Sequence, residues 1–192
     1  MNRRIFTAAL SALLLTGVSA FAQSSTWTID KNHSQVNFAI KHMGVSTVRG
    51  SISGVTGTVA WDDKDPSKSS VEATIDTTTV NTNNEARDKH LKSPDFFNVE
   101  KYPTMTFKST SVSGATGKLK VTGDLTLAGV TKSVTLDVDG PTAPVKGQGG
   151  KMVIGFSATG MLKRSDFNFG SKFTNPTLGD EVKFTIDVEA DK

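Results

Sequence analysis

The chain reads as an all-β protein, a closed antiparallel barrel of roughly eight strands with one short helix closing an end. Three observations predict this. Most of the sequence alternates apolar and polar residues with a period of two, as half-buried strands do. The alternating segments are joined mainly by short turn signals, which suit antiparallel neighbours and not βαβ units. Only one segment, Thr82 to Phe97, carries a strong helical signal. Closure is favoured over an open sheet because it removes exposed strand edges.

The first residues have the parts of a secretory signal: Arg3 and Arg4, an apolar run from Ala8 to Val18, then Ala20-Phe21-Ala22 as a small-x-small cleavage site. This divides the chain into a cleaved signal over residues 1–22 and one barrel domain over residues 23–192. The rows of alternating apolar residues come in order. Val36, Phe38 and Ile40 form one; Val71, Ala73 and Ile75 another; Met105 and Phe107 follow. Next are Leu119 with Val121, Leu125 with Leu127, then Val134, Leu136 and Val138. Met152, Ile154 and Phe156 precede the last row, Val182, Phe184, Ile186 and Val188. Between them lie turn signals at Asp62 to Ser70, Ser113 to Gly117, Ala128-Gly129 and Gly140 to Gly150. A barrel of about eight strands is wide enough inside for one elongated apolar ligand.

The helical segment interrupts this pattern. Thr82 and Glu85 have capping-box spacing at its start, and Pro94 stops it. At about 100° per residue, Glu85, Asp88, Lys89 and Lys92 share one face, where Glu85 with Lys89 and Asp88 with Lys92 have ion-pair spacing. Ala86, Arg87, His90 and Leu91 fall on the opposite face, where an arginine and a histidine need partners if buried. Phe96 and Phe97 follow immediately, as a plug for the barrel end, a ligand gate, or both.

Net charge is +3 on 192 residues; without Arg3 and Arg4, 20 basic side chains face 19 acidic ones. No basic cluster tracks a phosphate backbone, so nucleic acid is not an expected partner. There is no cysteine, and nothing after the signal approaches the roughly 18 consecutive apolar residues of a membrane span. A soluble exported protein is expected.

Enzymatic signatures are missing. Gly155-Phe156-Ser157-Ala158-Thr159 lacks the final glycine of a nucleophile elbow, and Gly147-Gln148-Gly149-Gly150 is not a dinucleotide fingerprint. His33, His42 and His90 have no metal-ligand spacing, so neither metal nor cofactor is expected. His33 and His42 read as turn residues, and Trp27 and Trp61 as wall or core. Leu162 to Gly170 mixes charge with paired aromatics; it is a structural corner with Asp166 capping a turn, or the opposite lip of a pocket.

Taken together, several motifs resemble the YceI family of bacterial periplasmic, polyisoprenoid-binding proteins. They are Trp27-Thr28-Ile29-Asp30 with His33-Ser34, the run from Arg87 through His90-Leu91-Lys92-Ser93 to Asp95-Phe96-Phe97, and Tyr102-Pro103 with Thr106-Phe107. Gly123-Asp124-Leu125-Thr126-Leu127 with Gly129-Val130-Thr131, and Lys163-Arg164-Ser165-Asp166-Phe167, complete them. The resemblance implies an eight-stranded lipocalin-like barrel whose apolar pore holds an isoprenoid, such as a ubiquinone or polyprenyl tail, or a related lipid. Arg87, His90 and Asp95, with Phe96 and Phe97, are then the candidates for the mouth. Phe38, Phe107, Leu125, Ile154, Phe156 and Phe184 are the candidates for the lining.

The leading expectation is a periplasmic lipid carrier that touches membranes transiently. Two alternatives stand beside it: an enzyme acting on a bound lipid with His90 and Asp95 as an acid–base pair, and a stress-induced interaction protein with an incidental pocket. The sequence leaves open whether the protein is a monomer or a homodimer.

Overall fold

Inward-facing apolar rows and tight turns close the chain into a barrel. The structure, a computed structural model, describes residues 24–192; the signal expected over residues 1–22 lies outside them. The strands are β1 (Ser25–Ile29), β2 (Gln35–His42), β3 (Ser46–Ile52), β4 (Val55–Trp61), β5 (Ser70–Asp76) and β6 (Thr104–Ala115). They continue with β7 (Lys118–Leu127), β8 (Val130–Asp139), β9 (Val145–Lys146), β10 (Met152–Lys163) and β11 (Leu178–Asp191), and one helix, α1 (Glu85–Lys92), lies between β5 and β6.

All pairings are antiparallel, and the ring β11-β1-β4-β5-β6-β7-β8-β10 closes through β10 on β11. β1 and β2 run along the same edge of β11, and β3 and β4 continue one another past Ser53-Gly54. They therefore act as two long bent strands, which makes eight staves in the wall. At the break between β1 and β2, the Asp30 N–H donates to the Glu189 carbonyl (2.8 Å) and the Ser34 hydroxyl accepts from the Glu189 N–H (3.1 Å), so both backbone groups of Glu189 stay paired across the interruption. β9 is a short addition to β10.

The rows predicted from sequence fall in β2, β5, β6, β7, β8, β10 and β11. β1, β3, β4 and β9 have no row in that reading. The Ala128-Gly129 turn joins β7 to β8 with positive φ at both residues (48° and 81°), the two-residue turn whose twist matches flanking strands. At one end of the barrel the inward positions are filled: Trp27, Ile154 and Ala190 are 3%, 1% and 0% exposed, and the Lys192 ammonium lies 4.3 Å over the Trp27 ring.

The helix is shorter than its sequence signal and starts differently. Asn84, not Thr82, is the cap, its side chain accepting from the Arg87 N–H at 2.9 Å. Thr82 is buried and engaged elsewhere: its N–H and hydroxyl donate to Asp88, and its hydroxyl accepts from Arg87. Asp88 is thereby drawn toward Thr82, and neither expected pair, Glu85 with Lys89 or Asp88 with Lys92, forms an ion pair among the described residues. Ala86 and His90 are exposed rather than buried, and Leu91 is the apolar side chain of α1 packed against the core.

Candidate functional site

The inward rows enclose an apolar cavity of about 630 Å³. Its walls are contributed by β1, through Ile29, and by β2, β3, β4, β5, β6, β7, β8, β10 and β11. Its polar side chains gather at the two ends: His42, Ser46, Arg87, His90, Arg164 and Thr177 at one, which we call the mouth, and Ser69 with Ser70 at the other.

Why the barrel is hollow follows from a repeated pairing of phenylalanine with glycine. Gly50, Gly123 and Gly160 occupy inward positions in β3, β7 and β10, and a ring from a neighbouring strand lies over each. A Cβ on Gly50 would stand 2.5 Å from Phe38 Cζ, one on Gly123 2.5 Å from Phe107 Cζ, and one on Gly160 2.4 Å from Phe184 Cζ. Each ring therefore lies along the wall over space that a side chain would fill, instead of crossing the lumen. Trp61 and Phe156 meet edge-on at 6.2 Å and also line the cavity.

The mouth is built by three segments: the turn between β2 and β3, the long connection from β5 to β6 that carries α1, and the connection from β10 to β11. The last is organised by Arg164, which is 5% exposed. Its guanidinium donates to the carbonyls of Gly179 (2.9 Å), Phe169 (3.1 Å), Gly170 (2.8 Å), Leu178 (3.0 Å) and Phe173. All five N–H groups are used, which only a rigid guanidinium fork could achieve here. Two aromatic residues of this loop, Phe169 and Phe173, reach the α1 connection. Phe96 stacks on Phe173 at 5.5 Å, Phe97 meets Phe169 edge-on at 4.7 Å, and the His90 ring packs against Phe96 and Phe173. An ion pair between Lys172 and Asp95 (2.6 Å) and a bond from the Gly170 N–H to the Asp95 carbonyl (3.0 Å) tie the two segments together.

Of the residues expected at the mouth, Arg87, His90, Phe96 and Phe97 line the cavity. Asp95 does not; it faces Lys172 and, at 3.4 Å, His90. The Lys172 ammonium, and after it His90, hold the Asp95 carboxyl below the ordinary aspartate range. Arg87 is not paired with Asp95. Its Nε donates to the Thr82 hydroxyl and its Nη2 to the Thr82 carbonyl, each at 2.8 Å. Of the residues expected in the lining, Phe38, Phe107, Leu125, Phe156 and Phe184 are there. Ile154 stands in the same inward row of β10 but at the filled end, opposite Ala190, and is not part of the cavity wall.

Arg164, Phe173 and the three wall glycines belong to the site without having been named as candidate site residues, although Arg164 and Gly123 stand in the quoted motifs. The segment around Arg164 was marked by its mixture of charge and aromatics, and the structure makes it both corner and lip. Asp166 is not its cap: Asp180 instead accepts from the N–H and hydroxyl of Ser165. His33 is a hydrogen-bonded turn residue, with Nδ1 2.8 Å from Asp30. Asp30, His33 and Glu189 are a group whose ligand atoms lie close enough to hold a cation, within 4.8 Å of one another. Asp30 already engages the His33 ring; that bond raises the His33 pKa and lowers that of Asp30.

An antiparallel barrel with one packed end, an apolar lumen and a polar mouth defines a protein of lipocalin-like build with an internal cavity. The chain belongs to the YceI family: residues 27–190 match the family model of the YceI-like domain. Protein YceI of Salmonella arizonae is 42% identical over 195 aligned positions, which cover 98% of this chain and 97% of that protein. The crystal structure of the Campylobacter jejuni YceI protein is 39% identical and superposes with a TM-score of 0.70 over 80% of this chain and 90% of that one. A polyisoprenoid binding domain from Saccharophagus degradans shares the fold, with a TM-score of 0.62 over 85% of this chain and 97% of that one at 14% identity.

Proposed function

We propose that this protein is a periplasmic carrier that holds the chain of an isoprenoid, of ubiquinone or polyprenyl type, or of a related lipid, in its lumen and exchanges it with membranes by transient contact. The observation that carries the reading is the continuous apolar wall of a cavity of about 630 Å³, with arginine and histidine side chains only at the mouth end. Such a cavity has the size of a small-molecule site. Each CH2-sized group moved from water into it contributes about 0.8 kcal/mol, so a chain of several prenyl units is firmly retained against water. A bilayer offers the same gain. Exchange with a membrane is therefore close to balanced, and Arg87 and His90 are placed to discriminate head groups.

The reading is also supported by the family, and by the polyisoprenoid binding named for the Saccharophagus degradans domain. The expected signal over residues 1–22 supports the periplasmic location. The acid–base alternative draws on one contact, His90 to Asp95, but Asp95 is bonded to Lys172 and lies off the lumen wall. That contact is better suited to joining two mouth loops than to acting on a bound chain.

The test is to purify the protein from osmotic-shock fluid, extract it with organic solvent and identify the released compound by mass spectrometry. An apolar chain compound, unchanged in mass after incubation with the protein, is the expected result. Protein that carries no such compound and takes up none when offered prenyl or acyl chains refutes the carrier.

A further inference from the structure

The lumen opens beside an unusual piece of surface. The turn between β2 and β3 exposes Val45 to 83% and Met43 to 52%, the first and third highest exposures among the large apolar side chains of the described residues. Its base forms part of the mouth, since His42 and Ser46, the last pair of the β2–β3 ladder, both line the cavity. The turn is fixed, not loose: the Val45 N–H donates to the His42 carbonyl (3.1 Å) and the Met43 N–H to the Thr177 carbonyl (3.2 Å). Met43 holds a positive φ of 54°, a conformation unfavourable for a non-glycine residue. An apolar pair held outward on an ordered tip is unfavourable in water and is available to an apolar partner surface.

The charges beside it indicate which surface. Inward residues alternate along the strands, so Lys41 of β2, Arg49 of β3, Lys163 of β10 and Lys183 of β11 all point outward, on four adjacent strands below the tip. All four are exposed. None makes an ion pair among the described residues; the acids near them are Glu181, which lies across from Lys163, and Asp180, whose carboxylate is held by Ser165 within reach of the Lys163 charge. Two apolar side chains leading, with a basic flank behind, match the acyl and anionic head-group layers of a bilayer in that order.

We propose that the β2–β3 turn is the docking element of this protein for anionic lipid membranes: Met43 and Val45 enter the interface, Lys41, Arg49, Lys163 and Lys183 engage anionic head groups, and the mouth is thereby set against the bilayer. This rests on the carrier reading for its purpose, but not for its test.

The chain has no cysteine, so Val45→Cys carries a single environment-sensitive dye. On vesicles of phosphatidylethanolamine and phosphatidylglycerol the dye should move to a less polar environment, and the change should weaken at high salt. The same dye on Val145→Cys is the control, because Val145 is 59% exposed but lies in β9 at the opposite end. Vesicles of phosphatidylcholine alone should bind about tenfold more weakly. No change at position 45, an equal change at position 145, equal binding to neutral vesicles, or a change that appears with protein concentration alone each overturns the proposal. In parallel, M43S/V45S should release its copurified apolar compound to the same vesicles about tenfold more slowly than the wild type, with unchanged occupancy as purified. If the wild type holds no such compound, the carrier reading fails, while the dye result still decides the docking surface.

Discussion

Replacing Gly160 by alanine tests whether the lumen exists because aromatic rings lie over wall glycines. The new Cβ would stand 2.4 Å from Phe184 Cζ, 2.7 Å from Phe184 Cε2 and 3.3 Å from Leu136 Cδ2. The first two distances are impossible, so the Phe184 ring must leave the wall, and the open direction is the lumen. In a packed core such overfilling costs about 1–3 kcal/mol. Here the ring has room, and replacing glycine in a strand interior returns about 0.5–1 kcal/mol. Stability of ligand-free protein should therefore change by less than about 2 kcal/mol. Binding should change far more. A ring turned into the lumen takes the place of about five CH2-sized groups, worth about 4 kcal/mol and about a thousandfold in affinity. Titration of stripped protein with a fluorescent prenyl or acyl chain, beside denaturant melts of the same samples, reads both quantities. Adding Phe184→Leu to Gly160→Ala should recover most of the affinity. Unchanged affinity would refute the reasoning, since the ring would then not stand in the ligand's path. So would a loss of stability above about 3 kcal/mol in stripped protein, because the lumen would then have no room for the ring.

The mouth yields three further expectations. Arg164→Ala strands five backbone carbonyls and should cost about 3–5 kcal/mol in denaturant melts; Arg164→Lys should rescue little, because one ammonium has three donors and no fork. Arg87→Ala removes two hydrogen bonds to Thr82, whose hydroxyl remains bonded to Asp88. It should cost only about 1–2 kcal/mol while shifting preference among lipids of different head group; a loss equal to that of Arg164→Ala would show that Arg87 is a structural residue. Asp95 has a pKa lowered by Lys172 and then His90, so its contribution is present above the ordinary aspartate value of 3.8 and is lost as pH falls through the lowered value. Hydrogen exchange in the β10–β11 connection should therefore accelerate in strong acid in the wild type. Asp95→Asn should show that fast exchange already at neutral pH.

Much of the wall was legible because barrel strands have one wet and one dry face, and a period of two survives translation into structure. The rows of β2, β8 and β11 are uninterrupted, and those strands were read directly. The helix was legible in place but not in detail. Its charge spacing suggested Glu85 with Lys89 and Asp88 with Lys92, yet exposed pairs of this kind are worth only a few tenths of a kcal/mol, and the buried Thr82 offered Asp88 two hydrogen bonds instead. Asp95 was assigned to the mouth by its neighbours in sequence. Its actual partner, Lys172, is 77 residues away, beyond any local pattern. Arg164 was hidden for a different reason: its partners are all backbone carbonyls, which no sequence distinguishes.

Two of the strands that escaped notice, β3 and β4, share one physical cause with the hollowness of the barrel. β3 turns Val48, Gly50 and Ile52 inward and β4 turns Val55, Gly57, Val59 and Trp61 inward, so in each the apolar row is broken by glycine. Gly123 likewise splits β7 into two pairs, Leu119 with Val121 and Leu125 with Leu127, that read as separate rows although they form one strand. An inward glycine looks like a turn signal in sequence, because both meanings follow from the missing Cβ. What separates them is the partner across the ladder. Phe38 pairs directly with Gly50, and Phe184 with Gly160. A glycine inside an alternating segment that faces a phenylalanine in the next strand therefore marks space kept for a ring, and the lumen is what remains when the rings lie in it. The apolar rows determine that the chain closes into a barrel; these few glycines determine that the barrel can be occupied.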